Sequence, residues 1–372
     1  MIKQRWDIFC KIVDNFGDIG VCWRLARQLQ FEHGLQIRLW IDDLGAAKKI
    51  ISGLNIAESS QVCDKITILK WPNADKSADK ADSNRKAEAD FSKAAEVVIE
   101  AFACGLPPAY LAAMAKQKSK WVNLEYLSAE PWVADFHAKP SPQDNGLTRY
   151  FYFPGFTDAT GGLIRESDSL GSHYDKSRSD METLKVSLFC YPHAPIRELL
   201  TAMAESNQQI NCYVPANSIL PQIADFFGEE TIDVGDYFTR EKLHLHILPF
   251  LSQVDYDALL RDCDINFVRG EDSWVRAIWA GKPFIWQPYF QDENTHIKKL
   301  NAFLDLFYAD FDAKQVVCEA HSAWVAGQLS NKIWQSYLDS LTVINTFTCQ
   351  QSKKLAKLDD LASKLVIFCN KL

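Results

Sequence analysis

The sequence predicts an α/β protein of two domains, each built on a parallel sheet. Its 372 residues exceed the ~250–300 residues at which a single hydrophobic core stops growing. The chain opens with an apolar strand, a loop, a helix and a second strand, a succession typical of parallel sheets with right-handed crossovers. The same succession of strands and helices begins again at residue 184, after a polar stretch. Two such halves predict a cleft between domains, where ligands of α/β proteins bind.

The N-terminal domain is predicted over residues 1–167. Its first strand is the apolar run 6–13, and the face shared by Val21, Leu25 and Leu29 predicts the helix that follows. The remaining elements are strands at 35–41, 97–99, 121–124 and 151–156, with a helix over 107–116. Residues 72–95 are rich in Ala, Lys, Asp and Ser and lack an apolar face, so we predict a mobile surface insertion.

The C-terminal domain is predicted over residues 184–350, after a polar linker at 168–183. Its strands are predicted at 186–190, 210–214, 243–248, 265–268 and 284–287, with helices between them. In the last segment, residues 351–372, leucines recur at helical spacing. We expect one amphipathic helix there that packs back on the N-terminal domain.

Composition excludes several classes of protein. With 47% hydrophobic and 24% charged residues the chain is globular rather than disordered, and a net charge of −8 argues against a nucleic-acid binder. No apolar run reaches the ~20 residues of a membrane span, and the N-terminus enters a strand directly rather than forming a signal peptide. The ten scattered cysteines fit reduced thiols, and the eight histidines show no metal-ligand spacing. We therefore expect a cytoplasmic protein without a metal.

The first candidate site is the loop after strand one, which contains Asp14 and Asp18. Both acids follow the carboxyl end of a strand, where ligands bind in open α/β sheets, and Gly17 and Gly20 permit close backbone approach. The loop lacks the GxGxxG motif of dinucleotide-binding proteins. An alternative interpretation makes Asp14 a turn residue and Asp18 a helix N-cap.

The second candidate site is the segment 264–288, read as strand, turn, helix and strand. The turn contains Arg269, Gly270, Glu271, Asp272 and Ser273, so a helix begins at the carboxyl end of a strand. The first N–H groups of that helix, its dipole and the Arg269 cation would bind a diphosphate. Alternatively, Glu271 and Asp272 only complement the helix dipole.

Aromatic residues after two other strands of this half form a third candidate. Such side chains stack on a nucleobase, although each alone also fits core packing. The set is Phe189, Tyr191, Phe250 and Tyr256, together with Gln253. The whole arrangement predicts a nucleotide-sugar transferase of the GT-B type, in which two Rossmann-like domains face each other across a cleft. The C-terminal half would hold the nucleoside diphosphate, and the N-terminal half would present a base.

Three segments resemble the protein-arginine rhamnosyltransferases called EarP. They are the run from Asp14 to Leu29, the runs Phe153 to Thr157 and Thr160 to Glu166, and the run from Phe267 to Ala277 with Gly281–Lys282–Pro283. The resemblance spans nearly the whole chain, and only the insertion at 72–95 has no match. It implies transfer of L-rhamnose from dTDP-β-L-rhamnose, with inversion, to one arginine of translation elongation factor P, which the modification activates for the rescue of stalled ribosomes.

The resemblance also implies roles for individual residues. Asp18 resembles the catalytic aspartate and Glu271 the essential glutamate, while Asp14 is a helper. Asn15, Phe16 and Gly17 would lie beside the sugar. Tyr191, Gln253 and the turn from Arg269 to Ser273 would hold the nucleotide, with Phe189 and Phe250 flanking the base. Two alternatives stay open: a GT-B transferase with another donor or acceptor, and a non-catalytic nucleotide-binding partner of a translation factor.

Overall fold

The computed structural model describes residues 4–14, 16–71, 91–167 and 183–372. The chain divides into two compact units, one of residues 1–167 with 358–372, the other of residues 168–357. Residues 168–182 of the predicted linker and residues 72–90 of the predicted insertion lie outside the described residues. Thr183 is already the first residue of a strand. No helix among the described residues is long and apolar enough to cross a lipid bilayer.

The first unit is built on an eight-stranded sheet. Its strands are β1 Arg5–Cys10, β2 Gln36–Ile41, β3 Ser60–Cys63, β4 Ile66–Lys70, β5 Val97–Ala101, β6 Lys120–Leu124, β7 Pro140–Pro142 and β8 Thr148–Tyr152. Its helices are α1 Gly17–Phe31, α2 Leu44–Ala47, α3 Pro108–Gln117 and α4 Val133–Phe136, joined by a helix over Leu361–Lys371 that we call the returning helix. The strand order is β3-β4-β2-β1-β5-β6-β8-β7.

The central strands of this sheet are parallel, as the sequence predicts, but both edge pairs are antiparallel. At one edge β3 and β4 form a hairpin through Asp64 and Lys65, which both have positive φ angles (47° and 64°). Two positive φ angles in a two-residue turn match the twist of a hairpin. Asp-Lys lacks the glycine that marks such turns, so the hairpin gave no signal in the sequence.

The predicted surface insertion ends earlier than residue 95. Phe91 is 5% exposed, Ala94 and Ala95 are also buried, and the Phe91 ring lies 5.1 Å from that of Trp40. Phe91, Ala94 and Ala95 therefore belong to the core of the first unit, and the prediction of a surface segment is wrong for them, whereas Ser92 and Lys93 are exposed. One aromatic residue in an Ala- and Lys-rich run shows no periodicity, so its burial was not predicted.

The second unit is built on a six-stranded sheet of order β11-β12-β10-β9-β13-β14, parallel except at the β11–β12 edge. Its strands are β9 Thr183–Leu188, β10 Gln209–Pro215, β11 Tyr237–Arg240, β12 Leu243–Leu248, β13 Ile265–Arg269 and β14 Phe284–Gln287. Its helices are α5 Ile196–Ala204, α6 Leu220–Phe227, α7 Gln253–Asp262, α8 Asp272–Ala280, α9 Thr295–Phe307, α10 Lys314–Val325, α11 Asn331–Asp339 and α12 Leu341–Leu355.

The segment 351–372 forms two pieces rather than the single predicted helix. Its first residues continue α12, which ends at Leu355, and the returning helix begins at Leu361. Asp360 is the N-cap of the returning helix, and its carboxylate accepts hydrogen bonds from Ser363 N (3.0 Å) and Gln28 Nε2 (3.0 Å). Asp360 thus caps the start of a new helix and is held by a side chain of α1. This cap, rather than the continuous spacing of the leucines, determines where the helix begins.

Candidate functional site

Asp18 lies in the first turn of α1, beyond the carboxyl end of β1, and is 2% exposed. Its Oδ2 accepts hydrogen bonds from the backbone N–H groups of Val13 (2.7 Å) and Asp14 (2.9 Å). Its Oδ1 accepts the hydroxyl of Tyr126 at 3.3 Å. The N-cap of α1 is Phe16, so the alternative interpretation of Asp18 as an N-cap is wrong. The carboxylate instead turns back toward the loop that precedes α1, and we call residues 11–14 and 16–18, which end in the first turn of α1, the Asp18 loop.

Burial raises the pKa of the Asp18 carboxyl above its ordinary value. The amides of Asp14 and Val13 and the Tyr126 hydroxyl oppose this shift by stabilising the carboxylate, and the nearby charge of Asp42 adds to it. Asp42 follows β2, and its Oδ1 accepts Ile12 N at 2.9 Å. Asp18 is therefore a stronger proton acceptor than an exposed aspartate, and it is fixed by three hydrogen-bond donors.

Asp14 closes a turn within the Asp18 loop. Its carbonyl accepts Gly17 N at 2.6 Å, and a Cβ atom on Gly17 would lie 2.7 Å from Asp14 Oδ2. Only glycine fits there without moving the Asp14 carboxylate. The turn interpretation of Asp14 is thus compatible with a role beside Asp18. Phe16 faces Lys49, whose Nζ lies 5.5 Å from the ring centroid, and Asn15 lies outside the described residues.

In the second unit, β13 ends at Arg269 and α8 begins at Asp272, so the predicted succession of strand, turn and helix is present. We call residues 269–273 the Arg269 turn. Gly270 has a φ of +59°, a backbone conformation that favours glycine, and Glu271 is the N-cap of the helix without a side-chain capping bond. Ser273 Oγ accepts Arg269 N at 3.0 Å and donates to the Arg269 carbonyl. The first N–H groups of α8 therefore lie beside Arg269.

The Arg269 guanidinium is buried between aromatic rings, with 7% of the residue exposed. Its central carbon lies 4.4 Å from the ring centroid of Phe189 and 4.7 Å from that of Tyr191. Nη1 donates to the Cys190 carbonyl at 3.2 Å. Because a guanidinium stays protonated and has five donors, the rings hold a permanent cation in place and leave donors for an anion.

The other predicted residues of this half collect at the same edge of the sheet. The Phe189 ring contacts that of Tyr256 (centroids 5.5 Å apart), and burial raises the pKa of the Tyr256 hydroxyl. Gln253, the first residue of α7, donates from Nε2 to Asp272 Oδ2 at 3.3 Å. Phe250 lies half-buried in the loop that leads from β12 to α7. The pairing of Asp272 with Gln253 gives this acid a contact beyond the helix dipole.

Gln287 is a residue of this edge that the sequence did not indicate. It ends β14 and is fully buried. Its Oε1 accepts Tyr191 N at 2.8 Å, and its carbonyl accepts Gly270 N at 3.1 Å. Gln287 thus joins the loop after β9, through its side chain, to the Arg269 turn, through its backbone carbonyl. Its place at the carboxyl end of a parallel strand was the available signal.

Within the described residues, no group of three or more His, Cys, Asp or Glu side chains could hold a metal ion. The ten cysteines are all free thiols, and seven of them are buried.

Comparison with known proteins links the chain to one family. A family model described as elongation-factor P (EF-P) rhamnosyltransferase EarP matches residues 6–370. The protein-arginine rhamnosyltransferase of Pseudomonas putida is 41% identical over 387 residues, covering 99% of each chain. A solved structure of EarP, which explains EarP-mediated arginine glycosylation of translation elongation factor EF-P, is 30% identical with a TM-score of 0.67 and covers 99% of each chain.

More distant structures share the fold alone. The spinosyn rhamnosyltransferase SpnG, solved in complex with thymidine diphosphate, is 12% identical with a TM-score of 0.51 and covers 98% of this chain and 99% of its own. The two α/β units are thus those of a GT-B glycosyltransferase.

Proposed function

Because the chain belongs to the EF-P rhamnosyltransferase family EarP, we propose that it transfers L-rhamnose from dTDP-β-L-rhamnose to an arginine side chain of elongation factor P. The anomeric configuration inverts, and the acceptor is modified in the cytoplasm. The observation that carries the mechanism is Asp18, a buried carboxylate held by three hydrogen-bond donors with a pKa raised by burial.

The acceptor sets the chemical problem. A guanidinium is protonated under ordinary conditions and is a poor nucleophile. A carboxylate beside it orients the group, localises its charge and takes a proton as the C–N bond forms. One inverting displacement needs one base, on the face opposite the leaving group. We assign this role to Asp18, and the support is its fixed orientation and raised basicity.

The leaving dTDP carries the developing negative charge. We assign its stabilisation to Arg269 and the first N–H groups of α8, which act as preorganised donors. Tyr191, Gln253, Gly270, Asp272 and Ser273 complete this nucleotide site. Phe189, Phe250 and Tyr256 would contact the base. In this proposal the charge is met by protein groups, so no metal or other cofactor is required.

Five further residues complete the proposal on the sugar and acceptor side. Phe16 and Gly17, with Asn15, would lie beside the rhamnose, and Asp14 supports Asp18. Glu271 orients either the guanidinium or a sugar hydroxyl. A Glu271→Gln variant decides between these roles, because the first raises the KM for elongation factor P and the second weakens donor binding.

Intact-mass analysis of elongation factor P after incubation with the enzyme and dTDP-β-L-rhamnose tests the function. We expect a gain of one deoxyhexose, located on arginine by fragmentation, with an α-anomeric signal in NMR. The reaction should proceed equally in EDTA. Complex formation without a mass change would instead support a non-catalytic binding partner. Competition among dTDP-rhamnose, UDP-glucose and GDP-mannose would expose a different donor.

A further inference from the structure

The turn after β5 holds two adjacent non-glycine residues in the left-handed region. Phe102 has a φ of 57° and Ala103 a φ of 49°. Such conformations are unfavourable for these side chains and persist only where the surroundings fix them. Here Phe102 N donates to the Leu124 carbonyl at 2.7 Å, and Ala103 N donates to Asn123 Oδ1 at 3.1 Å. The neighbouring strand β6 therefore holds the turn in its strained shape.

This turn sets the direction of the Phe102 side chain. Its ring stacks on that of Tyr126, with centroids 4.2 Å apart and planes 11° from parallel. The backbone before Tyr126 is also fixed, because Glu125 N donates to the Tyr152 carbonyl at 2.9 Å. A tyrosine with a fixed backbone and a fixed ring plane has little freedom left for its hydroxyl.

That hydroxyl meets Asp18. The Tyr126 oxygen lies 3.3 Å from Asp18 Oδ1, while Oδ2 already accepts two backbone amides. Oδ1 keeps a lone pair for a second donor, since a carboxylate oxygen accepts about two hydrogen bonds. If Asp18 is the base, Oδ1 is the atom that receives the proton, and Tyr126 fixes its position.

We infer that Tyr126 is a positioning residue for Asp18, and that the left-handed turn at Phe102 and Ala103 acts by holding the Tyr126 ring. The inference rests on the proposed role of Asp18 as base. The left-handed conformations of Phe102 and Ala103 would then serve the site rather than the fold of the sheet.

Titratable side chains approach Asp18 from its own loop and from the ends of three strands. Asp14 precedes it in its own loop, Asp42 approaches from β2, Cys10 from β1 and Tyr126 from β6. Among these, Tyr126 is the side chain that lowers the Asp18 pKa by donating a hydrogen bond. Removing its hydroxyl leaves burial less opposed, so the pKa rises further.

The test compares Tyr126→Phe, Phe102→Leu and the double variant by steady-state rhamnosylation kinetics across pH. For Tyr126→Phe we expect kcat to fall about tenfold, the low end for a hydrogen bond to a charged group because the bond is long. Donor KM should stay unchanged, and the acid limb of the pH profile should move to higher pH. Phe102→Leu should shift the profile in the same direction by a smaller amount.

The double variant should behave like Tyr126→Phe alone, because Phe102 acts through the hydroxyl that is already absent. Tyr150→Phe removes a tyrosine hydroxyl from β8 of the same sheet and should leave rate and profile unchanged. Additive effects, or a lower rate without a pH shift, would overturn the inference. Full activity of Asp18→Asn would instead remove Asp18 as base, a failure of the proposed function that these tyrosine variants do not share.

Discussion

The Asp18 loop and the Arg269 turn occupy equivalent places in two similar sheets but bury opposite charges. Each connects the carboxyl end of a parallel strand to the first turn of a helix, β1 to α1 and β13 to α8. Backbone amides and a hydroxyl hold the carboxylate of Asp18, whereas aromatic rings hold the guanidinium of Arg269. Burial raises the basicity of the acid, whereas the rings leave guanidinium donors available for an anion. One connection is thus suited to proton transfer and the other to holding an anion.

The largest expected effect comes from Asp18→Asn, which keeps the shape of the side chain and removes its basicity. Turnover should fall by about 10²- to 10⁴-fold, the usual contribution of a positioned base. Calorimetry should give nearly unchanged affinity for dTDP-rhamnose. Asp43→Asn is the matched control, because Asp43 follows β2 in the same unit and its carboxylate accepts from Gly45 N and Ala46 N in a cap that asparagine can replace. Near-normal turnover of Asp18→Asn would end the assignment of this residue as base.

For Arg269→Ala we expect a larger effect on donor binding than on turnover, the opposite of Asp18→Asn. Donor binding should weaken by about 1.5–3 kcal/mol, the loss expected for a charged hydrogen bond. Calorimetric titration with dTDP measures this directly. The control is Arg240→Ala, which removes an exposed guanidinium stacked 4.1 Å from the Phe226 ring in the same unit. If both variants bind dTDP like the wild type, the Arg269 turn is not the diphosphate site.

The pH dependences of kcat/KM and of donor affinity should distinguish the Asp18 loop from the Arg269 turn. Asp18 must be ionised to accept a proton, so kcat/KM should fall as pH decreases through its raised pKa, above the ~3.9 of an ordinary aspartate. Donor affinity should stay flat over the same range, because the proposed diphosphate site does not include Asp18. Both quantities are measured on one enzyme preparation across pH, with circular dichroism to verify folding. A donor affinity that follows the acid limb of kcat/KM would contradict the separation.

The smallest effect concerns stability. A carboxyl whose pKa is higher in the folded than in the unfolded state stabilises the fold below the unfolded pKa, and this contribution is lost as pH rises through the folded value. At pH 7 the ionised Asp18 therefore opposes folding, and Asp18→Asn should raise the free energy of unfolding. Urea titrations at pH 7, again with Asp43→Asn for comparison, measure the difference. A less stable Asp18→Asn protein would mean that the hydrogen bonds outweigh burial.

The sequence predicted the parallel core of both sheets and the strand-to-helix turn at Arg269 because these depend on local apolar runs and turn residues. It also identified the acids that follow β1. Other features depend on tertiary contacts. The packing of Phe91 against Trp40 and the helix break before Asp360 are examples. The left-handed turn at Phe102 and Ala103 was unpredictable for a different reason, since neither residue type favours a positive φ.

The returning helix has a consequence for the order in which the chain folds during its synthesis. Leu361, Leu365 and Cys369 are buried in the same core as Ile8 and Leu25, so the first unit lacks part of its interior until these residues leave the ribosome. The whole second unit is translated in between, which takes roughly 10–40 s at ~5–20 residues per second. The first unit therefore cannot complete its fold before the second unit is synthesised, although its strands are translated first. Until the returning helix is released, part of the first unit's apolar core stays exposed.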